Sequence, residues 1–387
     1  MRAGGGAGPA GLLRQTRANG SRRTVGNVGR VADTPTMSQP SPYVLTQSLM
    51  PSPSRCFLCG GQVDDSNDTK EHVFPKWLLN RFDLWNEPLT LLNGTTIKYR
   101  QLVIPCCQPC NNQHLSILEN RDQQAFALGV EAVAALASSD LYLWMVKIYY
   151  GLLFRNLTLP LDRRIAEEGP IVTPEDLSRF RFLHLMLQGI RGIDVRMLHA
   201  GTPGSCVIAP AQTSTLGHKS LNWDYFDVPH VPFLAVRVGS VAIFAGMADF
   251  GAFLHFAKNT KHFDAARHLQ LHPAQFQEFA SLCAAIAMWV SDRRDYQVAE
   301  DGPNLTLVFD ETTATSHIPT FMHEPKFLGL WAAMANLRGD TDARAGRMPT
   351  LLLDENQQPR HLSMDEDVAE GRLLPASAVR RLRSGGK

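Results

Sequence analysis

Hydrophobic spacing divides the chain into stretches of different character. Residues 1–54 are rich in Gly, Ser, Pro, Thr and Arg and show no apolar periodicity, which predicts a disordered basic arm. From residue 119 to about residue 155 apolar side chains return at intervals of about 3.6, the period of a helix. They are Ala125, Leu128, Val130, Val133 and Leu136, then Leu141, Trp144, Met145, Ile148 and Leu152. Asp140 and the serines before it offer a helix start, and a loop is expected at residues 156–160. Thr173-Pro174-Glu175-Asp176 predicts another start, with proline at the first helical position and acids in the first turn. Beyond Gly189 short apolar and β-branched runs at 207–209, 233–238 and 241–244 predict strands divided by turns such as Gly239-Ser240. Residues 249–257 and 273–291 look helical again, and 305–309 reads as a further strand.

The expected fold class is therefore α+β. Four regions are expected: the arm at 1–54, a small cysteine-rich module at 55–124, a larger α+β domain at 125–335, and a largely disordered tail at 336–387. The tail mixes Gly, Pro and dense charge, the usual composition of a poorly ordered terminus. The chain has 387 residues, 44% hydrophobic and 19% charged, enough for sizeable cores. A net charge of +1 gives no global attraction to nucleic acid, so any basic attraction must be local. No apolar leader is visible. The apolar stretches at 141–154 and 231–257 are interrupted by Lys147, Arg237 and Asp249, so no membrane partner is expected and a cytoplasmic location is.

Five of the seven cysteines lie in one short region: Cys56, Cys59, Cys106, Cys107 and Cys110. Paired C-x-x-C spacing without a leader argues for metal rather than disulfides. A two-residue gap lets both sulfurs of a pair bind one ion from a tight turn, and Gly60-Gly61 ease the first turn. Cys56, Cys59, Cys107 and Cys110 are the expected ligands of a structural zinc, with Cys106 a packed neighbour. Cys206 and Cys283 read as small buried hydrophobes.

Between the pairs lies Glu71-His72-Val73-Phe74-Pro75. C-x-x-C, then E-H-x-x-P, then C-x-x-C-N resembles the HNH endonuclease family in its zinc-stabilised form, and the run from Cys110 to Glu119 resembles a bacterial and phage subgroup. The resemblance covers about 70 residues. It implies a ββα-metal, treble-clef-like finger and metal-dependent hydrolysis of phosphodiester bonds in nucleic acid, with DNA the expected substrate. His72 would be the general base, while Glu71 and Asn111 would hold a catalytic Mg²⁺ or Mn²⁺. The chemistry is coherent, since an imidazole titrates near neutral pH and a hard cation prefers carboxylate and amide oxygens.

The chain departs from the family pattern at the middle Asn. Asn93 is the nearest candidate, at loose spacing, and Gln101 stands where that Asn would be sought. A third residue on the finger helix is expected at His114, three residues after Asn111, or at Asn112. Glu119 either stays on that face or forms a salt bridge. Lys70, Lys76, Lys98, Arg100 and Arg121 surround the motif and offer phosphate contacts, although each alone is an ordinary surface charge. His255, His262, His268 and His272 have irregular spacing and read as packed or surface histidines, while Trp144, Tyr149 and Tyr150 read as core. The competing expectation is a non-catalytic zinc finger that binds nucleic acid or a protein partner.

Overall fold

The run Phe233-Leu234-Ala235-Val236-Arg237-Val238 and the run that follows it are apolar at every position but one. A strand with both faces apolar must be covered on both sides, and the computed structural model has that arrangement. It describes residues 51–228, 231–257, 260–290, 295–301, 304–309, 331 and 350–378. The expected arm at 1–54 lies almost wholly outside these residues, as do positions 336–349 of the expected tail.

Strands β1 (Glu71–His72), β2 (Pro88–Thr90), β3 (Thr96–Lys98) and β4 (Val103–Ile104) belong to the cysteine-rich region, with helix α1 (Lys76–Arg81) after β1. A π-helical turn, Cys110–Leu115, leads into α2 (Ser116–Leu128). Helices α3 (Val130–Ala134) and α4 (Ser138–Asn156) follow, then β5 (Pro160–Asp162), β6 (Ile165–Pro170), α5 (Pro174–Ser178) and α6 (Arg181–Leu187). The remainder comprises β7 (Asp194–Leu198), β8 (Ser205–Pro210), β9 (Trp223–Asp227), β10 (Phe233–Val238), β11 (Val241–Gly246), α7 (Ala252–Ala257), α8 (Lys261–His268), α9 (Pro273–Val290), β12 (Tyr296–Asp301) and β13 (Asn304–Phe309). A short helix, Met364–Ala369, lies near the C-terminus.

The central sheet is antiparallel, ordered β8-β11-β10-β9. Successive side chains on a strand alternate between faces. Phe233, Ala235, Ala242 and Phe244 accordingly join a core with Phe276 and Phe279 of α9. Leu234, Val236, Val238, Val241 and Ile243 join the core that contains α4. A second sheet, β12-β13-β7, pairs β13 with β7 in parallel.

Helix α4 is apolar on every side through its middle turns except at Lys147, and fourteen of its nineteen residues are buried. A helix of that composition must be enclosed. It touches the sheet through Tyr142, whose hydroxyl donates to the Met247 carbonyl at 2.7 Å. It touches the cysteine-rich region through Phe154 and Gly151. Phe154 meets Phe57 edge to face, with centroids 6.5 Å apart. At Gly151 a Cβ would lie 3.3 Å from both Val73 and Ile104, so glycine lets the β1–β4 pair approach closely.

These contacts correct the expected organisation in three places. The boundary at 124/125 falls inside α2, and one apolar core joins residues on both sides of it, from Cys56, Phe57 and Val73 to Trp144, Leu234 and Phe309. The helical stretch expected across 119–155, with a start at Asp140 and the serines before it, is three helices: Gly129 takes φ +101° and ends α2, and α4 opens at Ser138. Residues 350–378, expected to be poorly ordered, are anchored. Glu278 accepts the Leu351 amide at 2.6 Å, Gln275 donates to the Leu351 and Arg360 carbonyls at 2.7 Å each, and Leu352 and Leu353 are buried. Their apolar run supplies burial that the average composition of the tail conceals. Among the described residues no helix is long and apolar enough to cross a membrane.

Candidate metal centre

The first cysteine pair sits on a tight turn. The Cys56 amide donates to the Gly61 carbonyl and the Gly60 amide to the Cys56 carbonyl, both at 2.8 Å, and Gly60 takes φ +70°. The second pair opens the finger helix, where the Asn111 amide donates to the Cys107 carbonyl at 3.0 Å. Between them Asp68 forms a β-bridge with Cys107. The sulfurs of Cys56, Cys59, Cys107 and Cys110 all lie within 4.8 Å of one another. Cys59 Sγ and Cys107 Sγ are 3.8 Å apart. A tetrahedral zinc with Zn–S bonds of about 2.3 Å requires sulfur separations of about 3.8 Å, so the donor set fits a metal ion such as zinc. Crowding of the four thiols alone drives Cys59 toward thiolate, through the hydrogen bond from Cys107, while the Cys56 thiol is pushed up to about 12, chiefly by Cys106. Cys106 is buried with its Sγ 3.9 Å from that of Cys56, outside the group of four.

This staple is locked to the rest of the fold. The Leu58 carbonyl, inside the first knuckle, receives His184 Nε2 at 2.9 Å and Gln188 Nε2 at 2.8 Å. Burial holds the His184 imidazole down to about 4, so it donates as a neutral ring.

Strand β1 pairs antiparallel with β4, Glu71 opposite Ile104 and His72 opposite Val103. Just before it Lys70 takes φ +48°, and its amide donates to Asp68 Oδ1 at 3.0 Å. Adjacent strand residues face opposite ways. The His72 ring is half-buried and stacks on Trp85 with centroids 5.5 Å apart. Burial first, then Lys76 and Lys147, lower its pKa from the ordinary histidine value, so the imidazole is neutral at pH 7. The Glu71 side chain points inward, is 5% exposed, and pairs with Lys147 Nζ at 2.6 Å.

On the finger helix Asn111 Nδ2 donates to Thr69 Oγ1 at 2.9 Å, which fixes the amide close to β1. Asn112 is exposed and its carbonyl accepts the Ser116 hydroxyl at 2.6 Å. His114 lies farther round than an α-helix would put it, because the π-turn adds a residue to each turn. Burial and then Arg191 lower its pKa, with Cys59 acting against them. Of the two roles expected for Glu119, the salt bridge is the one formed: Oε1 is 2.9 Å from Lys147 Nζ. Asn93 occupies the β2–β3 turn, where Nδ2 donates to the Pro160 carbonyl at 2.9 Å. Gln101 accepts the Lys98 amide at 2.8 Å.

Lys147 is the group that the sequence did not reveal. The one available signal is a single lysine in the apolar run 141–154, which registers only as a break in a candidate membrane span. Trp85, the platform for His72, gave no signal. Of the surrounding cations, Lys70, Lys76 and Lys98 are exposed, whereas Arg121 is bound to Asp140 at 2.7 Å. His262 packs on Trp331 and His272 lies 3.3 Å from Asp367. Among the described residues the four cysteines are the only group of three or more candidate ligands that converge.

A divalent cation held by Glu71 and Asn111 does not fit this arrangement, since the Glu71 carboxylate is committed to an ammonium group. Comparison of the chain with models of known families, with curated proteins and with solved structures gives no match.

Proposed function

We propose that the chain is an HNH-type endonuclease hydrolysing phosphodiester bonds of nucleic acid, with DNA its substrate and His72 its general base. In this reading residues 55–124 form a zinc-bound, treble-clef-like ββα-metal finger, and the zinc supplies folding energy rather than chemistry. The observation that carries the reading is the seating of a half-buried imidazole on β1, its pKa lowered chiefly by burial, while the same fold gathers four thiols and brings Asn111 against Thr69. A bare structural finger has no need of that imidazole. His72 takes the proton of the attacking water as its oxygen bonds to phosphorus, and the ester oxygen departs. The exposed Lys70, Lys76 and Lys98 supply local positive charge that a near-neutral chain otherwise lacks.

A second reading, a non-catalytic zinc finger binding nucleic acid, is favoured by one observation: Glu71 is held by Lys147. Supercoiled plasmid separates the two. Conversion to nicked circles in buffer containing Mg²⁺ or Mn²⁺ is the outcome expected of the nuclease. Retarded migration with the topology unchanged belongs to the binder and would end the nuclease assignment.

A further inference from the structure

Lys147 sits in the middle of α4 and its side chain is fully buried. Its ammonium has four oxygen neighbours drawn from two other parts of the chain. Glu71 Oε1 lies at 2.6 Å and Glu119 Oε1 at 2.9 Å. The carbonyls of His72 and Val73 accept from Nζ at 2.8 Å and 3.1 Å. Two carboxylates and two carbonyls around one positive centre make an oxygen cage of the kind that a hard cation selects. Here the positive charge is carried by the chain itself.

We infer that the Lys147 ammonium occupies the cation position of this module, so that Glu71 and Glu119 ligate a lysine instead of a divalent ion, and that Lys147 is a positioning residue for His72. Three features support this. The buried Glu71 carboxylate and the partly buried Glu119 beside it need a compensating charge, and an ammonium supplies it without the water shell that Mg²⁺ keeps. The three N–H donors of Lys147 go to the His72 and Val73 carbonyls and to Glu119 Oε1, and Glu71 Oε1 meets the same ammonium as an ion pair. Two of the four oxygens are the backbone carbonyls of His72 and of the residue after it, so the lysine fixes the strand from which the imidazole projects. The inference rests on the HNH-type reading for the identity of the ion displaced, and its test reads ion binding rather than cleavage.

The test is Mn²⁺ binding by electron paramagnetic resonance and calorimetry on the full-length zinc-loaded chain, for the wild type, Glu71→Gln, Lys147→Ala and the double variant. Glu71→Gln is expected to leave Mn²⁺ binding unchanged. Lys147→Ala is expected to gain one Mn²⁺ per chain, and the double variant to lose it again. Loss of Mn²⁺ binding in Glu71→Gln overturns the inference, because Glu71 would then be a divalent-ion ligand with Lys147 in place. So does a Lys147→Ala chain of native zinc content that gains no ion. Should Lys147→Ala not fold, the comparison of wild type with Glu71→Gln decides the matter alone. Failure of the nuclease reading has a different signature, an inactive wild type, and leaves these binding results standing.

Discussion

Asp122, on α2, is fully buried and neither carboxylate oxygen has a hydrogen-bond partner. Its nearest cation is Arg121 Nε at 3.7 Å, and that guanidinium is turned toward Asp140. Burial pushes the Asp122 carboxyl up to about 7 from the ordinary 3.8, with Arg121 acting against the rise. Between those two values the folded chain binds a proton that the unfolded chain has released, so stability falls as pH rises through the window. The full penalty above the window is about 4 kcal/mol, because each pH unit crossed within it costs about 1.4 kcal/mol. Asp122→Asn removes the charge at nearly constant volume. Its buried amide carries a cost of its own, but that cost does not vary with pH. The variant should therefore gain about 2 kcal/mol on the wild type between about pH 5.5 and about pH 8.5, because the wild type loses that amount over the interval. Urea denaturation of both chains at the two pH values measures the difference. A gap that does not change with pH would show that Asp122 is not a buried acid forced to ionise, and would remove the electrostatic account of α2.

Other consequences follow from single contacts. Cys107→Ser should abolish zinc binding by the four-cysteine group and destabilise the fold around it, since structural zinc contributes on the order of 10 kcal/mol in small fingers; metal analysis with far-ultraviolet circular dichroism reads both, and an unaltered zinc-free protein would contradict the site. Gly204→Ala should cost more than about 2 kcal/mol in thermal or urea unfolding, because a Cβ there would lie 2.3 Å from the Gly246 carbonyl oxygen and 2.8 Å from the Tyr142 ring. Lys76→Ala should weaken DNA binding uniformly across sequences and reduce the salt slope by about 1, measured by titration at several ionic strengths; a sequence-dependent loss would count against a phosphate contact.

Features set by local spacing were legible in the sequence. The C-x-x-C pairs announced the sulfur cluster because two residues is the span of the turn that Gly60 completes. The residues of β10 and the Thr173 cap could likewise be read from short runs. Features that depend on distant partners could not. The partner of Glu71 lies on α4, 75 residues beyond the neighbouring His72 carbonyl that the same ammonium binds. Residues 350–378 are held by Gln212, Gln275 and Glu278, none of them a neighbour in sequence. Most of β12 is exposed, so no apolar alternation marks it. The π-turn at Cys110–Leu115 spaces Asn111 and His114 differently from an α-helix, and no local signal in the sequence marks it.

The most direct test of the nuclease account is the rate of plasmid nicking by wild type and His72→Ala prepared with equal zinc content. Removal of a general base predicts a loss of about 10²–10⁴-fold with the zinc retained. Equal rates in the two preparations would contradict the account, because the scaffold would be intact and the imidazole it presents would have no part in the reaction.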